Sequence, residues 1–159
     1  MDFFSRKATR LPGYDYRTPG YYFVTVCTYE KKCILGKIVG EGLCALPSVV
    51  LSDIGKEVDH SIEYMRAKQP GVAVDQYIIM PNHIHLLIQI SEGEGGRGGP
   101  PLQRVIGQLK SYTTHIYGKR LWQRSFHDHV IRGEEDYREI WQYITCNAAK
   151  WKEDRFYCG

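Results

Sequence analysis

The hydrophobic residues of this chain follow two different spacings, and these predict alternating strands and helices. Runs of β-branched and aromatic residues predict strands, whereas apolar residues that recur every three or four positions predict helices. The predicted strands span 21–29, 72–80 and 83–90, with a further short strand within 121–131. The predicted helices span 47–68, 102–118 and 134–151. This order predicts an α+β fold: an antiparallel sheet of four to five strands with helices packed on it.

Two segments between these elements have a different character. Pro81-Asn82 separates two strands, and because proline cannot take a positive φ, the pair disfavours the usual two-residue hairpin turn and indicates a longer loop. Residues 91–101 contain five glycines and two prolines, which is typical of a flexible linker. They lack the Lys-Ser/Thr ending of a phosphate-binding loop. We expect one domain over 1–159, with this linker inside it.

Composition narrows the class of protein. The chain has 159 residues, 43% of them hydrophobic and 25% charged, as in an ordinary globular domain. It has no apolar run of the roughly 20 residues that a membrane helix needs, and its first ten residues lack the apolar region of a secretion signal. We therefore expect a cytoplasmic protein without a membrane partner. The cysteines form no C-x-x-C pair, so we expect five free thiols: Cys27, Cys33, Cys44, Cys146 and Cys158.

The charge is small overall but unevenly distributed. The net charge is +3, yet residues 102–132 hold six basic residues against Asp128 alone. A one-sided basic surface suits a polyanion such as nucleic acid. An ordinary solvated surface produces a bias of this size about as often, so charge alone does not identify the partner.

Candidate chemistry is concentrated in one strand and one helix. His83 and His85 flank Ile84 in a predicted strand, so both imidazoles project from the same face and can converge on one metal ion. An isolated pair of this kind is more often two histidines on a half-exposed strand. In the last predicted helix, Tyr143 and Asn147 are four residues apart and lie at the edge of its apolar stripe. An amphipathic tyrosine and a helix cap are the simpler explanations of these two residues.

The four residues lie within two longer sequence runs, and these runs are similar to a known family. The run QYIIMPNHIHLLIQI at 76–90 and the run WQRSFHDHVIRGEEDYREIWQYITCN at 122–147 resemble the REP-associated tyrosine transposases of the HUH single-strand nuclease superfamily. The likeness extends from about Phe23 to about Trp151. One departure is Ala148, where the family commonly has proline.

The resemblance implies a site and a reaction. Tyr143 would be the catalytic nucleophile, attacking single-stranded DNA to give a 5′-phosphotyrosine and a free 3′-OH. His83, His85 and Asn147 would hold a divalent metal, Mg²⁺ or Mn²⁺, that polarises the scissile phosphate. The partner would be single-stranded DNA with hairpin ends formed by repetitive palindromes. Candidate DNA-binding residues are Arg104, Lys110, Tyr112, Trp122, Arg124 and Arg132, with core packing an equal alternative for Trp122.

Several alternatives stay open at this point. His127 and His129 form a second H-x-H pair, which we rank below His83 and His85 because it lacks the Met-Pro-Asn that precedes them. The chain could be a nonenzymatic single-stranded nucleic-acid-binding module, such as a decayed transposase, or a zinc hydrolase built on the first pair. It could act as a monomer, or as a homodimer in which the tyrosine helix serves the partner's histidines.

Overall fold

The computed structural model describes residues 11–40, 46–96 and 98–158. The strands in this part of the chain are β1 (Gly20–Cys27), β2 (Gly36–Val39), β3 (Ser48–Leu51), β4 (Val72–Met80), β5 (His83–Ile90) and β6 (His127–Val130). The helices are α1 (Asp53–Lys68), α2 (Leu102–Tyr117) and α3 (Glu134–Thr145), with single 3₁₀ turns at Tyr29–Lys31, Glu94–Gly96 and Trp151–Glu153. None of the helices in the described ranges is long and apolar enough to cross a membrane.

Four strands form one antiparallel sheet in the order β4-β5-β1-β6, and β2 pairs with β3 in a separate hairpin. Because β5 has neighbours on both sides, His83 lies opposite Met80 of β4 and opposite Cys27 of β1. The predicted α+β architecture is confirmed, with four strands in the main sheet and helices packed on it.

The two faces of the sheet have different roles. Side chains alternate along a strand, so Ile84, Leu86 and Ile88 of β5 enter the main core, which they share with buried residues of α1 and α2. Leu87 instead packs with Ile140 of α3 in a smaller cluster. His83 and His85 belong to this second face. The fold therefore separates an apolar face from the face that carries the candidate chemistry.

The segment before α1 differs from the prediction. We expected a helix from residue 47, but the structure has strand β3 there, and α1 begins only at Asp53. Val49, Val50 and Leu51 favour extended backbone and pair with β2, a strand that the sequence pattern did not reveal. Ser52 marks the boundary because its hydroxyl accepts a hydrogen bond from the Gly55 amide at 3.1 Å, which caps the first turn.

The connection between β4 and β5 is shorter than expected. Met80 and His83 pair directly, so the loop is the two residues Pro81 and Asn82. Neither residue has a positive φ. The loop is held from outside instead: the Asn82 carbonyl accepts from the Thr28 amide at 2.9 Å, and the Pro81 carbonyl accepts from the Leu35 amide at 3.0 Å. These contacts replace the usual turn geometry and bring Asn82 next to the histidines.

The end of the chain folds back over the sheet. We expected the last helix to reach residue 151, but α3 ends at Thr145. Residues 151–158, here called the terminal segment, begin with a 3₁₀ turn at Trp151–Glu153. This segment is tied down by a disulfide between Cys33 and Cys158. The expectation of free thiols is therefore wrong for these two residues, because the return of the chain brings together cysteines 125 positions apart. Cys27 and Cys146 are free, and Cys44 lies outside the described residues.

Candidate metal centre and nucleophile

Strand β5 places the two candidate metal ligands side by side in the interior. The side chains of His83 and His85 are fully buried, and their Nε2 atoms lie 3.1 Å apart. Two ligands of one metal ion, each about 2.1 Å from it and about 90° apart, are separated by about 3.0 Å. The spacing of the two nitrogens therefore fits adjacent positions around a single ion.

The other nitrogen of each ring is held by a polar neighbour. His83 Nδ1 lies 2.8 Å from Asn82 Oδ1, and His85 Nδ1 lies 2.7 Å from Thr25 Oγ1. The Asn82 amide nitrogen donates to the Phe156 carbonyl at 2.7 Å, so the Asn82 side-chain oxygen accepts a hydrogen bond from the N–H at His83 Nδ1. Nε2 of His83 then carries the lone pair, which is the form that binds metals.

Burial also sets the charge of the pair. It lowers the pKa of His83 to about 4, against smaller opposite effects of the nearby Asp154 carboxylate and of the Asn147 side chain. Burial and the neighbouring His83 lower the pKa of His85 well below its usual range. Both imidazoles are therefore neutral at pH 7, so each ring has one nitrogen with a lone pair that can bind a metal ion.

The end of α3 brings the other two predicted residues to the same place. The Tyr143 ring lies 5.2 Å from the His85 ring and 5.9 Å from the Phe23 ring, measured between centroids. Burial raises the pKa of the Tyr143 phenol, so the oxygen is protonated at neutral pH. Asn147 is buried in the turn after the helix, where its Nδ2 donates to Asp154 Oδ2 at 2.8 Å. Its Oδ1 is buried without a hydrogen-bond partner among the described residues.

An unsatisfied buried oxygen beside two converging imidazole nitrogens is a donor set that fits a metal ion. Leaving such an oxygen without a partner costs about 1–3 kcal/mol, and a bound cation removes that cost. Two imidazoles and one amide oxygen suit Mg²⁺ or Mn²⁺, with imidazole favouring Mn²⁺. The residues present therefore fit a divalent ion, Mg²⁺ or Mn²⁺, as the family resemblance implied.

Asp154 is a further potential ligand that no sequence motif indicated. Its side chain is 1% exposed, and Oδ2 lies 4.0 Å from His83 Nε2. The ligand atoms of His83, His85 and Asp154 all lie within 4.8 Å of one another. Asp154 follows His83 by seventy-one positions and belongs to no motif, so only the return of the terminal segment reveals it.

Aromatic residues of the terminal segment cover the imidazoles. The Phe156 ring centroid lies 4.6 Å from that of His83 and 6.3 Å from that of His85. Trp151 contacts His83 as well, at 6.0 Å between centroids. These rings keep water from the histidines, which is why burial dominates their pKa values.

The predicted DNA-binding residues do not form one surface. Trp122 is 3% exposed and its indole donates to Thr113, so its ring packs in the core and presents no face to a base. The Lys110 ammonium donates to the backbone carbonyls of Gln123 and Arg124 at 2.7 and 2.9 Å, which holds that loop in place. Tyr112 is exposed on the side of α1 and α2, away from the histidines.

The three predicted arginines are exposed but separated. The backbone amide of Gln123 donates to the carbonyl of Cys27, which pairs with His83. Arg124, the next residue, therefore lies at the His83 end of the sheet. Arg132 lies beyond the opposite end of that sheet, next to the residue whose amide bonds to Tyr21. Arg104 occupies the first turn of α2, on the other face. Among the three, Arg124 has the placement closest to the histidine pair.

The second H-x-H pair has a structural partner. The Asp136 carboxylate accepts from His129 Nε2 at 2.8 Å and from the backbone amide of Arg132 at 2.9 Å. This contact ties β6 to the start of α3. His127 lies on the same strand, opposite Thr25. Among the described residues, Asp154 groups with His83 and His85 as a potential metal ligand, whereas His127 and His129 do not.

Comparisons with known proteins give relatives for the chain. No known family profile matches it. An uncharacterized protein of Haemophilus influenzae is 31% identical over 96% of this chain and 93% of its own length. A REP-associated tyrosine transposase of Escherichia coli K12 is 28% identical over 57% of this chain and 52% of its own length. A solved structure of a REP-associated tyrosine transposase bound to a REP hairpin superposes with a TM-score of 0.65 at 22% identity, covering 89% of this chain and 73% of that one, and at this identity it shows a common fold.

Proposed function

We propose, since this chain is related to the REP-associated tyrosine transposases as its motifs predicted, that it is a metal-dependent transposase and endonuclease. It cleaves and rejoins single-stranded DNA at hairpin-associated ends. One observation carries the proposal: the tyrosine that would act as nucleophile lies next to a buried, neutral histidine pair and an amide oxygen without a partner.

The chemistry follows from the protonation states of these side chains. Attack by the Tyr143 oxygen forms a bond to phosphorus and breaks the bond from phosphorus to the 3′ oxygen. The products are a 5′-phosphotyrosine and a free 3′-OH, and the proton lost by the phenol is balanced by the proton that the 3′ oxygen gains. Because the phosphotyrosine conserves the energy of the phosphodiester, rejoining needs no ATP.

The phenol needs assistance, because burial raises its pKa and a protonated phenol is a poor nucleophile. A divalent ion, Mg²⁺ or Mn²⁺, held by His83, His85 and Asn147 would polarise and orient the scissile phosphate. Thr25 and Asn82 fix the two imidazoles through their Nδ1 atoms. These two contacts hold the imidazole rings in a fixed orientation towards the position of the ion.

Covalent trapping tests this proposal. The protein is incubated with Mn²⁺ and labelled single-stranded hairpin oligonucleotides from the repeats of its host, and the products are separated on a denaturing gel. We expect a metal-dependent shifted band that is absent in Tyr143→Phe. Tyr137→Phe on the same helix is the matched control, because its hydroxyl bonds to Asp75 rather than facing the histidines, and it should retain the band.

The other outcomes separate the remaining interpretations. An adduct that persists in Tyr143→Phe would mean that another tyrosine is the nucleophile. Hairpin binding that is indifferent to EDTA, with no adduct for any oligonucleotide, would identify a nonenzymatic binding module. Stoichiometric, tightly held zinc with turnover of small phosphoesters would instead identify a zinc hydrolase.

A further inference from the structure

The terminal segment brings a buried carboxylate to the histidine pair. Asp154 Oδ2 lies 4.0 Å from His83 Nε2, and its side chain is 1% exposed. The same oxygen accepts a hydrogen bond from Asn147 Nδ2 at 2.8 Å. A carboxylate removed from water in this way is costly unless a cation or strong hydrogen bonds compensate it.

We propose that Asp154 is a direct ligand of the divalent ion, beside His83, His85 and Asn147; this inference rests on the proposed function. A carboxylate oxygen is the ligand that hard divalent cations prefer. It would supply the one negative charge that two imidazoles and an amide lack. The ion would then compensate the buried carboxylate and the unsatisfied Asn147 oxygen at the same time.

The local hydrogen bonds aim this carboxylate at the histidines. The Phe156 amide donates to Oδ1 at 2.8 Å, which leaves Oδ2 on the side of His83. The Phe156 carbonyl in turn accepts from Asn82 Nδ2 at 2.7 Å. Asn82 thus bonds both to the ring of His83 and to the segment that carries Asp154. These two contacts fix the positions of His83 and Asp154 relative to each other.

The terminal segment is also fixed further along. Its disulfide joins Cys158 to Cys33, in the loop that follows β1. The Phe156 ring packs on both imidazoles, with centroid distances of 4.6 and 6.3 Å. Asp154 therefore lies between two anchored points, Trp151 and Phe156, and both contact His83. This placement is what a metal ligand needs and what a loosely attached tail would lack.

Equilibrium binding of Mn²⁺ tests the inference without any catalytic readout. The free ion is measured by electron paramagnetic resonance while the full-length, disulfide-bonded protein is titrated. We expect Asp154→Asn to raise the Mn²⁺ dissociation constant by about tenfold or more, because a ligand and its charge are lost. Glu153→Gln is the matched control: it removes one negative charge from the exposed neighbouring residue and should leave the dissociation constant unchanged.

A second variant guards against a general effect on folding. Asp154→Glu keeps a carboxylate and should bind Mn²⁺ more tightly than Asp154→Asn, and thermal unfolding in EDTA shows whether each variant is folded. Equal binding by wild type and Asp154→Asn, or tighter binding by the variant, would overturn the inference and leave Asp154 as part of a cover. Failure of the wild type to bind Mn²⁺ would overturn both this inference and the proposed metal centre. If His85→Ala lost Mn²⁺ binding while Asp154→Asn kept it, only the inference would be overturned.

Discussion

The burial of His83 and His85 ties the candidate metal centre to the stability of the fold. Imidazole rings that are fully removed from water resist protonation, and burial lowers the pKa of both residues. In an unfolded chain the same rings would titrate near 6.5. Because these pKa values differ, the folded and the unfolded chain take up protons at different pH values.

This difference predicts an acid-sensitive protein when no metal is bound. As pH falls from about 6.5 towards about 4, the unfolded chain takes up protons on these rings while the folded protein does not, so the free energy of unfolding decreases. We expect the melting temperature in EDTA to fall between about pH 7 and about pH 5, and to fall less in His85→Gln. Thermal unfolding followed by circular dichroism measures both, and equal pH dependence in wild type and variant would contradict the prediction.

Individual residues show where sequence reasoning reaches its limit. His83, His85, Tyr143 and Asn147 could be selected because their spacing matches a family motif, and the structure brings the four together. Asp154 could not be selected, because a single aspartate in a C-terminal segment carries no periodicity. Trp122 shows the opposite difficulty: an aromatic residue among basic ones fits a nucleic-acid surface and a core equally well, and only burial distinguishes them.

At the scale of elements, the hydrophobic pattern predicted the parts of the fold that bury a complete face. Strands β1, β4 and β5 and helix α2 lie where the pattern placed them, because each contributes a continuous row of side chains to the core. The β2–β3 hairpin has weak patterns, since its residues are only partly buried on a small sheet. The end of α3 was misjudged because apolar residues continue beyond it into the turn that positions Asn147.

The terminal segment is an element whose attachment can be measured. The disulfide closes a loop of 125 positions, and a covalent link of this kind stabilises a fold chiefly by restricting the unfolded chain. We expect Cys158→Ser to lower the free energy of unfolding by about 2–4 kcal/mol in urea titrations under nonreducing conditions. Cys146→Ser is the matched control, because Cys146 is a free, exposed cysteine. Equal stability of the two variants would show that the link contributes nothing.

In the molecule as a whole, the two faces of the main sheet pack against different elements. One face of the sheet supplies the hydrophobic core with α1 and α2, and the other holds the candidate site under α3 and the terminal segment. The predicted DNA-binding residues are spread over several surfaces, with Arg124 at the His83 end of the sheet.

The same architecture bears on whether one chain suffices for activity. Tyr143 lies 5.2 Å from the His85 ring of its own chain, and only residues 131–133 separate its helix from strand β6 of the same sheet. In a swapped dimer the tyrosine helix would instead serve the histidines of the partner. The arrangement in the structure therefore predicts that one chain supplies both the tyrosine and the histidines of the site.

Mixing two inactive variants distinguishes these arrangements. We expect that Tyr143→Phe and His85→Ala proteins, mixed and incubated with hairpin DNA and Mn²⁺, form no covalent adduct, because neither chain contains a complete site. The His85→Ala chain carries a tag that changes its size, so any adduct on its Tyr143 is resolved on a denaturing gel. Before mixing, the two proteins are denatured and refolded together, which allows chains to exchange. A band at the size of the tagged chain would show that its tyrosine had used the histidines of the other protein, and would make the swapped dimer the active form.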